Sequence, residues 1–251
     1  MISLDGKVAL VTGGSRGIGA ATARLLGRAG ADVMIGYHSR KADADAVVAE
    51  LRGMGRRAAA FASDISTPDG ADALVAATVR ELGALDLFVG NAGIWPPDEE
   101  GVAAMSDERW RRTMAQNVDS MFFTTRAAAR VIRDGGRIVL VASTAGQRGE
   151  AWHADYGASK GAMISFVKSL APELAPRDVT VNSVAPGWVD TEMCAIPYAN
   201  GGRERISAGI PLGRVASADD IAGPIVFLCS PLARHVTGEI LNVNGGSVLC
   251  G

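Results

Sequence analysis

Tyr156 and Lys160 are two residues whose types and spacing could perform proton chemistry. They stand four positions apart in "YGASKGAMISF" (156–166), a stretch rich in good helix formers. Two residues with this spacing lie on the same face of a helix, one turn apart. A free tyrosine, with a pKa of about 10, is a poor base near neutrality, and an adjacent cation lowers that pKa by favouring the phenolate. The pair could therefore take or give a proton on a substrate oxygen.

The elements that must position this pair follow from an alternation that runs through the whole chain. Short β-branched runs are separated by longer segments rich in Ala, Leu and Arg, which is typical of repeated βαβ units and a parallel sheet. Strands are predicted at 7–12, 31–37, 57–62, 85–90, 137–142, 179–184 and 239–244. Helices are predicted near 18–29, 41–54, 68–82, 107–132, 155–175 and 218–229. We therefore expect an α/β fold, Rossmann-type and doubly wound, with seven parallel strands and helices on both faces.

Length and composition favour one domain and exclude several classes of protein. The chain has 251 residues, 48% of them apolar, and a net charge of −2 from 25 basic and 27 acidic side chains. Without a basic field, binding to nucleic acid or to a membrane surface is not expected. No secretory signal is visible and no apolar run approaches the roughly 20 residues that span a bilayer. Three widely spaced cysteines suit neither disulfides nor zinc, so we predict a cytoplasmic protein without a metal.

The first predicted turn is rich in glycine and has the context of a phosphate-binding loop. In "VALVTGGSRGIGAATARLLGRAG" (8–30), an apolar strand runs into Gly13, Gly17 and Gly19 and then into an amphipathic helix. Glycines let the backbone approach a pyrophosphate, whose charge the N–H groups at the helix start stabilise. The spacing TGxxxGxG differs from the usual GxGxxG, but the strand before it and the helix after it support a dinucleotide site.

The end of the second predicted strand indicates which dinucleotide binds. An acidic residue commonly holds the adenine ribose there, but this position is Tyr37, and Asp32 lies at the opposite end of the strand. Arg16 and Arg40 are expected to converge where the 2′-phosphate of NADP would lie, since arginine binds phosphate with two parallel hydrogen bonds. We predict NADP(H) in preference to NAD(H). Arg40 and Lys41 could alternatively be an ordinary solvated helix start. The Tyr37/Lys41 pair, although spaced like Tyr156/Lys160, lies beside the adenine and far from any hydride.

Ser143 follows the strand predicted at 137–142, at the sheet edge where ligands bind in such folds. Tyr156 opens the helix after the next loop. When a nicotinamide cofactor exchanges hydride with a carbonyl or an alcohol, another group must move a proton on the oxygen. Ser143 could hold that oxygen by a hydrogen bond while Tyr156 moves the proton.

Seven motifs in this order resemble the classical short-chain dehydrogenase/reductase family, and they span essentially the whole chain. They are "TGGSRGIG" at 12–19, "NAG" at 91–93, Asn117 in "QNVDSMFF", Ser143 in "VASTAG", "YGASK" at 156–160, "PGWVDTEM" at 186–193 and "NVNGG" at 242–246. The overall texture is most similar to the 3-oxoacyl carrier-protein reductases. Sugar, polyol and small-ketone dehydrogenases look similar and remain an alternative.

The resemblance implies a role for each matching residue. Tyr156 would be the general acid and base, Ser143 would polarise the carbonyl, Lys160 would also bind the nicotinamide ribose, and Asn117 would support a water relay. The predicted cofactor contacts are Gly13, Ser15, Arg16, Gly17, Ile18, Gly19, Tyr37, His38, Ser39, Arg40, Asp64, Ile65, Asn91, Ala92, Gly93, Tyr156, Lys160, Pro186, Gly187, Val189 and Thr191.

Three segments, 94–100, 147–153 and 186–216, are expected to surround the reacting carbonyl. The longest of them carries several prolines and glycines, and we predict a substrate-binding loop or lid there. Its aromatic content indicates a partly apolar pocket, although each aromatic could equally be ordinary packing. The predicted substrate contacts are Trp95, Ser143, Trp152, Tyr156, Trp188 and Met193.

The expected partner is a small carbonyl or alcohol, free or carried on an acyl carrier protein. Arg126, Arg130 and Arg133 fall on one helical face and could contact an acidic carrier protein, although helix arginines more commonly form a solvated face or a subunit contact. The resemblance implies a homotetramer. A protein that only senses NADPH should lack Tyr156 or Lys160, and epimerases of this fold generally have longer chains.

Overall fold

Seven short apolar runs form one parallel sheet in the computed structural model, which describes residues 2–249. The predicted seven-stranded Rossmann-type sheet is confirmed, with small shifts at the strand ends. The strands are β1 (Val8–Thr12), β2 (Asp32–Tyr37), β3 (Ala58–Ala62), β4 (Leu87–Gly90), β5 (Arg137–Val141), β6 (Thr180–Pro186) and β7 (Ile240–Val243). Their order is β3-β2-β1-β4-β5-β6-β7, and each neighbouring pair is parallel. The order in which strands are added reverses between β1 and β4, and ligands bind at this switch point in such sheets.

Helices cover both faces of the sheet because each strand buries side chains in both directions. In β1, Ala9 and Val11 pack into one hydrophobic cluster, while Val8 and Leu10 pack into the other, as expected for alternating residues of a strand with two covered faces. The helices are α1 (Gly17–Arg28), α2 (Lys41–Gly53), α3 (Pro68–Leu82), α4 (Asp107–Met114), α5 (Ser120–Val131), α6 (Ala145–Arg148), α7 (Ala154–Leu174), α8 (Ala195–Tyr198), α9 (Gly202–Ala208) and α10 (Ala218–Leu228). The clusters place α1, α2 and α10 on one face and α3, α5 and α7 on the other.

Three regions differ in detail from the prediction, one of them being the short helix α6 at Ala145–Arg148, which was not predicted. The helix expected at 107–132 is divided into α4 and α5 by a π-helical turn, Ala115–Asp119, and such turns occur frequently at functional sites. The segment 186–216 contains a 3₁₀ turn at Glu192–Cys194 followed by α8 and α9. These short helices have no clear signal in the sequence, because prolines and glycines interrupt any helical periodicity there.

The described residues contain neither a membrane span nor a metal cluster. Within residues 2–249, no helix combines the length and the apolar character that crossing a bilayer requires. In the same range, no group of three or more His, Cys, Asp or Glu side chains is arranged to hold a metal ion. Cys194 and Cys229 are free thiols, and Cys250 lies outside the described residues.

Candidate active site

One cavity of about 390 Å³ lies at the carboxyl ends of the strands and brings most of the predicted site residues together. It runs from the glycine-rich turn after β1 to the start of α7. The predicted residues that line it are Gly13, Ser15, Arg16, Gly17, Ile18, Tyr37, His38, Ser39, Arg40, Asp64, Ile65, Asn91, Ala92, Gly93, Trp95, Ser143, Tyr156, Lys160, Pro186, Gly187, Trp188, Val189, Thr191 and Met193. Gly19, Asn117 and Trp152 are not part of this lining. Gly19 packs against Gly13 and Asn91, and Asn117 is hydrogen-bonded to Ile94.

The turn between β1 and α1 can be built only with glycine at its key positions. Gly13 and Gly17 have φ of 63° and 52°, in the left-handed region that favours glycine. A Cβ added to Gly19 would lie 2.2 Å from the Gly13 carbonyl oxygen, so any side chain there would push the turn apart. The start of α1 therefore presents free backbone N–H groups to the cavity. This arrangement fits a dinucleotide pyrophosphate.

Thr12, a residue that sequence reasoning missed, fixes the neighbouring loop beside this turn. Its hydroxyl accepts hydrogen bonds from the backbone N–H groups of Asn91 and Ala92, at 3.0 and 3.1 Å. The Asn91 amide in turn donates to the carbonyl oxygens of Thr12 and Gly13. The loop after β4 is therefore locked against the glycine turn. In the sequence, only the position of Thr12 between the strand and the first glycine indicated this role.

The part of the cavity beside the carboxyl end of β2 is the predicted adenine end. There, Arg16 and Arg40 share one acidic partner. Both guanidinium groups donate to Oε2 of Glu192, at 2.6 and 2.9 Å. Sequence reasoning missed Glu192, since it lies 176 and 152 positions away from them. Asp32 lies at the far end of β2, as expected, where it accepts hydrogen bonds from the side chain and backbone of Arg57.

Lys41 forms an ion pair within its own helix, in agreement with the interpretation of this residue as part of an ordinary solvated helix start. Its ammonium donates to Asp45 one turn along α2, at 2.6 Å. Asp64, beside the adenine end, accepts hydrogen bonds from the side chain and backbone of Ser66, which lower the pKa of the Asp64 carboxyl.

At the opposite end of the cavity, Tyr156 and Lys160 occupy successive turns of α7 with Ser143 facing them. The Lys160 Nζ lies 5.8 Å from the centre of the Tyr156 ring and donates to the Val141 carbonyl oxygen at 2.8 Å. Burial raises the pKa of Tyr156 above its ordinary value, and a hydrogen bond with Ser143 opposes this effect. Burial also lowers the pKa of Lys160 to about 8.

The expectation of a lowered pKa for Tyr156 is therefore wrong for this structure. Withdrawal of the phenol from water is the largest cause and raises this pKa, and the hydrogen bond with Ser143 offsets only part of the effect. The consequence is a Tyr156 that keeps its proton across the neutral range. Such a group is suited to donate a proton to a developing alkoxide, which is a stronger base than the phenolate.

Asn117 lies in the π-helical turn and ties the loop after β4 to α7. It is fully buried. Its Oδ1 accepts a hydrogen bond from the N–H of Ile94 at 2.7 Å, and its Nδ2 donates to the Ile94 carbonyl and to the Ser159 hydroxyl. The Ser159 hydroxyl donates to the Tyr156 carbonyl oxygen. Asn117 therefore holds the backbone on both sides of the reacting end, and its role in a water relay stays a prediction.

Aromatic side chains form one wall of the substrate end. The rings of Trp95 and Trp188 meet edge to face at 6.1 Å, and Trp188 lies 6.0 Å from Tyr198. The structure does not bring Trp152 to this wall, because it is 59% exposed and its ring lies against Gly101. Among the lining residues absent from the predictions are Arg148, Glu150 and Cys194.

The sequence also did not predict a buried ion pair between an arginine and an aspartate next to the site. Asp155, immediately before Tyr156, is fully buried and accepts hydrogen bonds from Arg109 at 3.2 Å and from Thr113 at 2.7 Å. Burial alone would raise the pKa of Asp155, but these hydrogen bonds hold it below its usual value. Arg109 also donates to Glu100 and to the Asp98 carbonyl. It therefore connects α4, the loop after β4 and the start of α7.

The three arginines of the candidate carrier-protein contact have partners within the protein. The Arg126 guanidinium packs over the rings of Phe122 and Phe123, at 5.1 and 5.3 Å from their centres. Arg130 and Arg133 each lie 3.8 Å from an aspartate carboxylate. Their side chains are more than half exposed, so the face remains partly solvated.

Comparisons with known proteins agree with this architecture. Residues 13–247 match the family model described as enoyl-(acyl carrier protein) reductase. The chain is 38% identical over 252 residues to the 3-oxoacyl-[acyl-carrier-protein] reductase of Synechocystis sp., covering 99% of this chain and 100% of that protein.

Two solved structures are similar along nearly the entire length. A short-chain dehydrogenase/reductase from Serratia marcescens has a TM-score of 0.92 and 36% identity, covering 97% of this chain and 98% of that chain. A blue fluorescent protein from a metagenomic library, in complex with NADPH, has a TM-score of 0.92 and 39% identity, covering 98% and 100%. Together with the glycine turn and the Tyr156–Lys160 pair, these matches show that the chain is an oxidoreductase that belongs to the short-chain dehydrogenase/reductase family.

Proposed function

We propose that this protein reduces a ketone carbonyl to a secondary alcohol with NADPH, in a reversible reaction. The observation that carries the proposal is the continuous cavity that joins the glycine turn at one end to Ser143, Tyr156 and Lys160 at the other. The nicotinamide cofactor supplies the hydride when it is bound there. Glycines of the turn and the free N–H groups of α1 would hold its pyrophosphate, and Lys160 its nicotinamide ribose.

The side chains around the carbonyl orient the substrate and transfer the proton. The Ser143 hydroxyl donates a hydrogen bond to the substrate oxygen and orients the carbonyl. Tyr156 delivers the phenolic proton to the same oxygen, and its raised pKa keeps that proton available at neutral pH. In the reverse direction, Tyr156 takes the proton back from the alcohol. Asn117 supports the relay of protons to solvent, as its place in the family motif implies.

The preference for NADP(H) is supported by the way Arg16 and Arg40 converge. Both guanidinium groups reach a single carboxylate oxygen, so two cations from different elements lie close enough to bind one anionic group. A 2′-phosphate on the adenine ribose would find there the two parallel donors that arginine offers. The similar structure in complex with NADPH agrees with this assignment.

Changing both Arg16 and Arg40 to Ala should weaken NADPH binding about 100-fold or more, because each charge-assisted hydrogen bond contributes about 1.5–3 kcal/mol. The affinity for NADH should change less than threefold. Fluorescence titration of each dinucleotide measures both constants. The matched control is Arg24→Ala with Arg80→Ala, which removes two cations whose partners, Glu50 and Glu81, lie outside the cavity. An unchanged ratio of NADPH to NADH affinity would overturn the preference.

We propose a 3-oxoacyl thioester, free or attached to an acyl carrier protein, as the substrate class, with a sugar, polyol or small ketone as the alternative. The likeness to a 3-oxoacyl-[acyl-carrier-protein] reductase supports the first. The Trp95 and Trp188 wall offers the apolar surface that an acyl chain needs.

A panel of 3-oxoacyl thioesters, small ketones, quinones and sugars, assayed with NADPH and with NADH by loss of absorbance, tests this proposal. The highest kcat/KM is expected for a thioester with NADPH. Turnover confined to sugars would favour the alternative. Binding of NADPH without turnover of any compound would instead favour a sensing protein.

We also propose a homotetramer, on the grounds of likeness to relatives of this length. The α5 surface carries Phe122, which is 40% exposed, and its ring contacts Phe123 on the same helix and Phe166 on α7. An exposed aromatic face on two adjacent helices is typical of a subunit contact.

A further inference from the structure

Glu192 connects the segment 186–216 to the adenine end of the cavity. It begins the 3₁₀ turn Glu192–Cys194, and its Oε2 accepts hydrogen bonds from Arg16 on the glycine turn and from Arg40 after β2. The two arginines lower the pKa of the Glu192 carboxyl, with the Arg16 hydrogen bond as the largest cause. Three separate parts of the chain are thus joined at one oxygen atom.

The same contact holds the segment close to the glycine turn. The methyl group of Thr191, the preceding residue, lies 3.4 Å from the position that a Cβ on Gly17 would occupy. Met193 and Cys194, the next two residues, line the cavity. The ion pairs at Glu192 therefore fasten the beginning of the segment over the place where the dinucleotide would bind.

These ion pairs are exposed and can be exchanged for a stronger partner. The side chains of Arg16, Arg40 and Glu192 are 52%, 50% and 59% exposed, and ion pairs this exposed contribute little to stability because solvent screens them. A phosphate monoester carries a charge of about −1.5 to −2 and three acceptor oxygens, whereas the carboxylate carries a single charge. The two guanidinium groups should consequently prefer the phosphate.

We propose that Glu192 determines how the protein responds to the two cofactors, by occupying the anion site of Arg16 and Arg40 until the 2′-phosphate of NADP(H) displaces it. NAD(H) has no such phosphate and leaves the ion pairs in place. Binding of NADP(H) thus releases the part of the segment that starts at Glu192, and binding of NAD(H) does not. The inference rests on the proposed use of Arg16 and Arg40 for the 2′-phosphate.

The first test measures binding of two fragments that lack the nicotinamide, 2′,5′-ADP and 5′-AMP, by isothermal titration calorimetry. Glu192→Gln keeps the size of the side chain and removes its charge. It should tighten 2′,5′-ADP binding about fivefold, because the phosphate no longer competes with an exposed ion pair. Binding of 5′-AMP should change less than twofold.

The matched control is Asp190→Asn, two positions away in the same segment. It removes the same charge, but Asp190 pairs with Arg203 at 2.7 Å and does not contact the two cavity arginines. This control should leave both affinities within twofold of the wild-type values. A gain in 2′,5′-ADP affinity as large as that of Glu192→Gln would attribute the effect to general charge and overturn the proposal.

The second test follows the segment itself by hydrogen exchange with mass spectrometry. In the wild-type protein, saturating 2′,5′-ADP should raise amide exchange in residues 192–208, whereas 5′-AMP should not. Glu192→Gln should show the raised exchange without any ligand. Equal exchange in all of these states would overturn the proposed release.

The outcomes also separate this inference from the proposed cofactor preference. A wild-type protein that binds 2′,5′-ADP no better than 5′-AMP overturns the NADP(H) preference, and the role of Glu192 with it. A wild-type preference for 2′,5′-ADP that Glu192→Gln does not increase overturns the role of Glu192 alone.

Discussion

Replacing Tyr156 with Phe should lower kcat for carbonyl reduction by at least about 10², the range expected for a lost general acid. The substitution keeps the buried ring and removes only the hydroxyl that donates the proton. The affinity for NADPH should stay within about threefold of the wild-type value, because the ring and Lys160 remain in place. Steady-state kinetics gives kcat, and fluorescence titration gives the affinity.

Tyr198→Phe is the matched control, because it removes the same atom from a tyrosine beside the substrate wall. The Tyr198 hydroxyl donates to the Val189 carbonyl oxygen, so its loss should lower kcat less than fivefold. Near-normal turnover in Tyr156→Phe, with cofactor affinity intact, would contradict the proposed role. An equal loss in both variants would contradict it as well.

The pH dependence of the wild-type enzyme provides an independent check on the same chemistry. Burial raises the pKa of Tyr156, so the phenol should stay protonated throughout the neutral range. Burial lowers the pKa of Lys160 to about 8, so its positive charge is lost as the pH rises through that value. The reduction rate should accordingly be flat below about pH 7 and decline above about pH 8.

Replacing Arg109 with Leu should lower the free energy of unfolding by about 3–5 kcal/mol, the cost of leaving one member of a buried ion pair uncompensated. Asp155 is fully buried and Arg109 is only 10% exposed. Without the guanidinium, the carboxylate keeps Thr113 as its side-chain partner and must remain charged away from water. Denaturant unfolding at pH 7 measures the change.

Arg111→Leu is the control on the same helix. Arg111 is 78% exposed and pairs with Asp107 at 3.3 Å, so its replacement should change stability by less than about 1 kcal/mol. A loss in Arg109→Leu no larger than this control would contradict the prediction.

At acidic pH, the difference in free energy of unfolding between the wild-type protein and Arg109→Leu should become smaller. The pKa of Asp155 is lowered in the fold, so its contribution to stability is present above the ordinary pKa of about 3.9 and is lost as the pH falls through the folded value. In Arg109→Leu, burial is no longer opposed by the guanidinium, and Asp155 takes up its proton at a higher pH. The difference in free energy of unfolding between the two proteins should therefore be largest near pH 7 and smaller near pH 4.5. A gap of equal size at both pH values would argue against a buried charge as its cause.

Local spacing was enough to predict the sheet and the placement of Tyr156 and Lys160 on successive turns of one helix. The apolar run of β1 is buried on both faces, and the glycines after it are required by the backbone itself. Tyr156 and Lys160 are neighbours because a helix repeats every 3.6 residues, whatever surrounds it. These features depend only on residues close together in the chain, and a sequence displays such relations directly.

Long-range contacts and burial were decided by the tertiary structure. Glu192 reaches Arg16 across 176 positions, and Asp155 reaches Arg109 across 46, with no periodic signal that links them. The direction of the Tyr156 pKa was predicted wrongly because the sequence shows a nearby cation but not the loss of water around the phenol. Residue type and spacing determined which groups are candidates for the proposed reaction. The solvent exposure of these groups and the distant charges beside them were decided only by the tertiary structure. Both depend on which other helices, strands and loops pack around the same cavity.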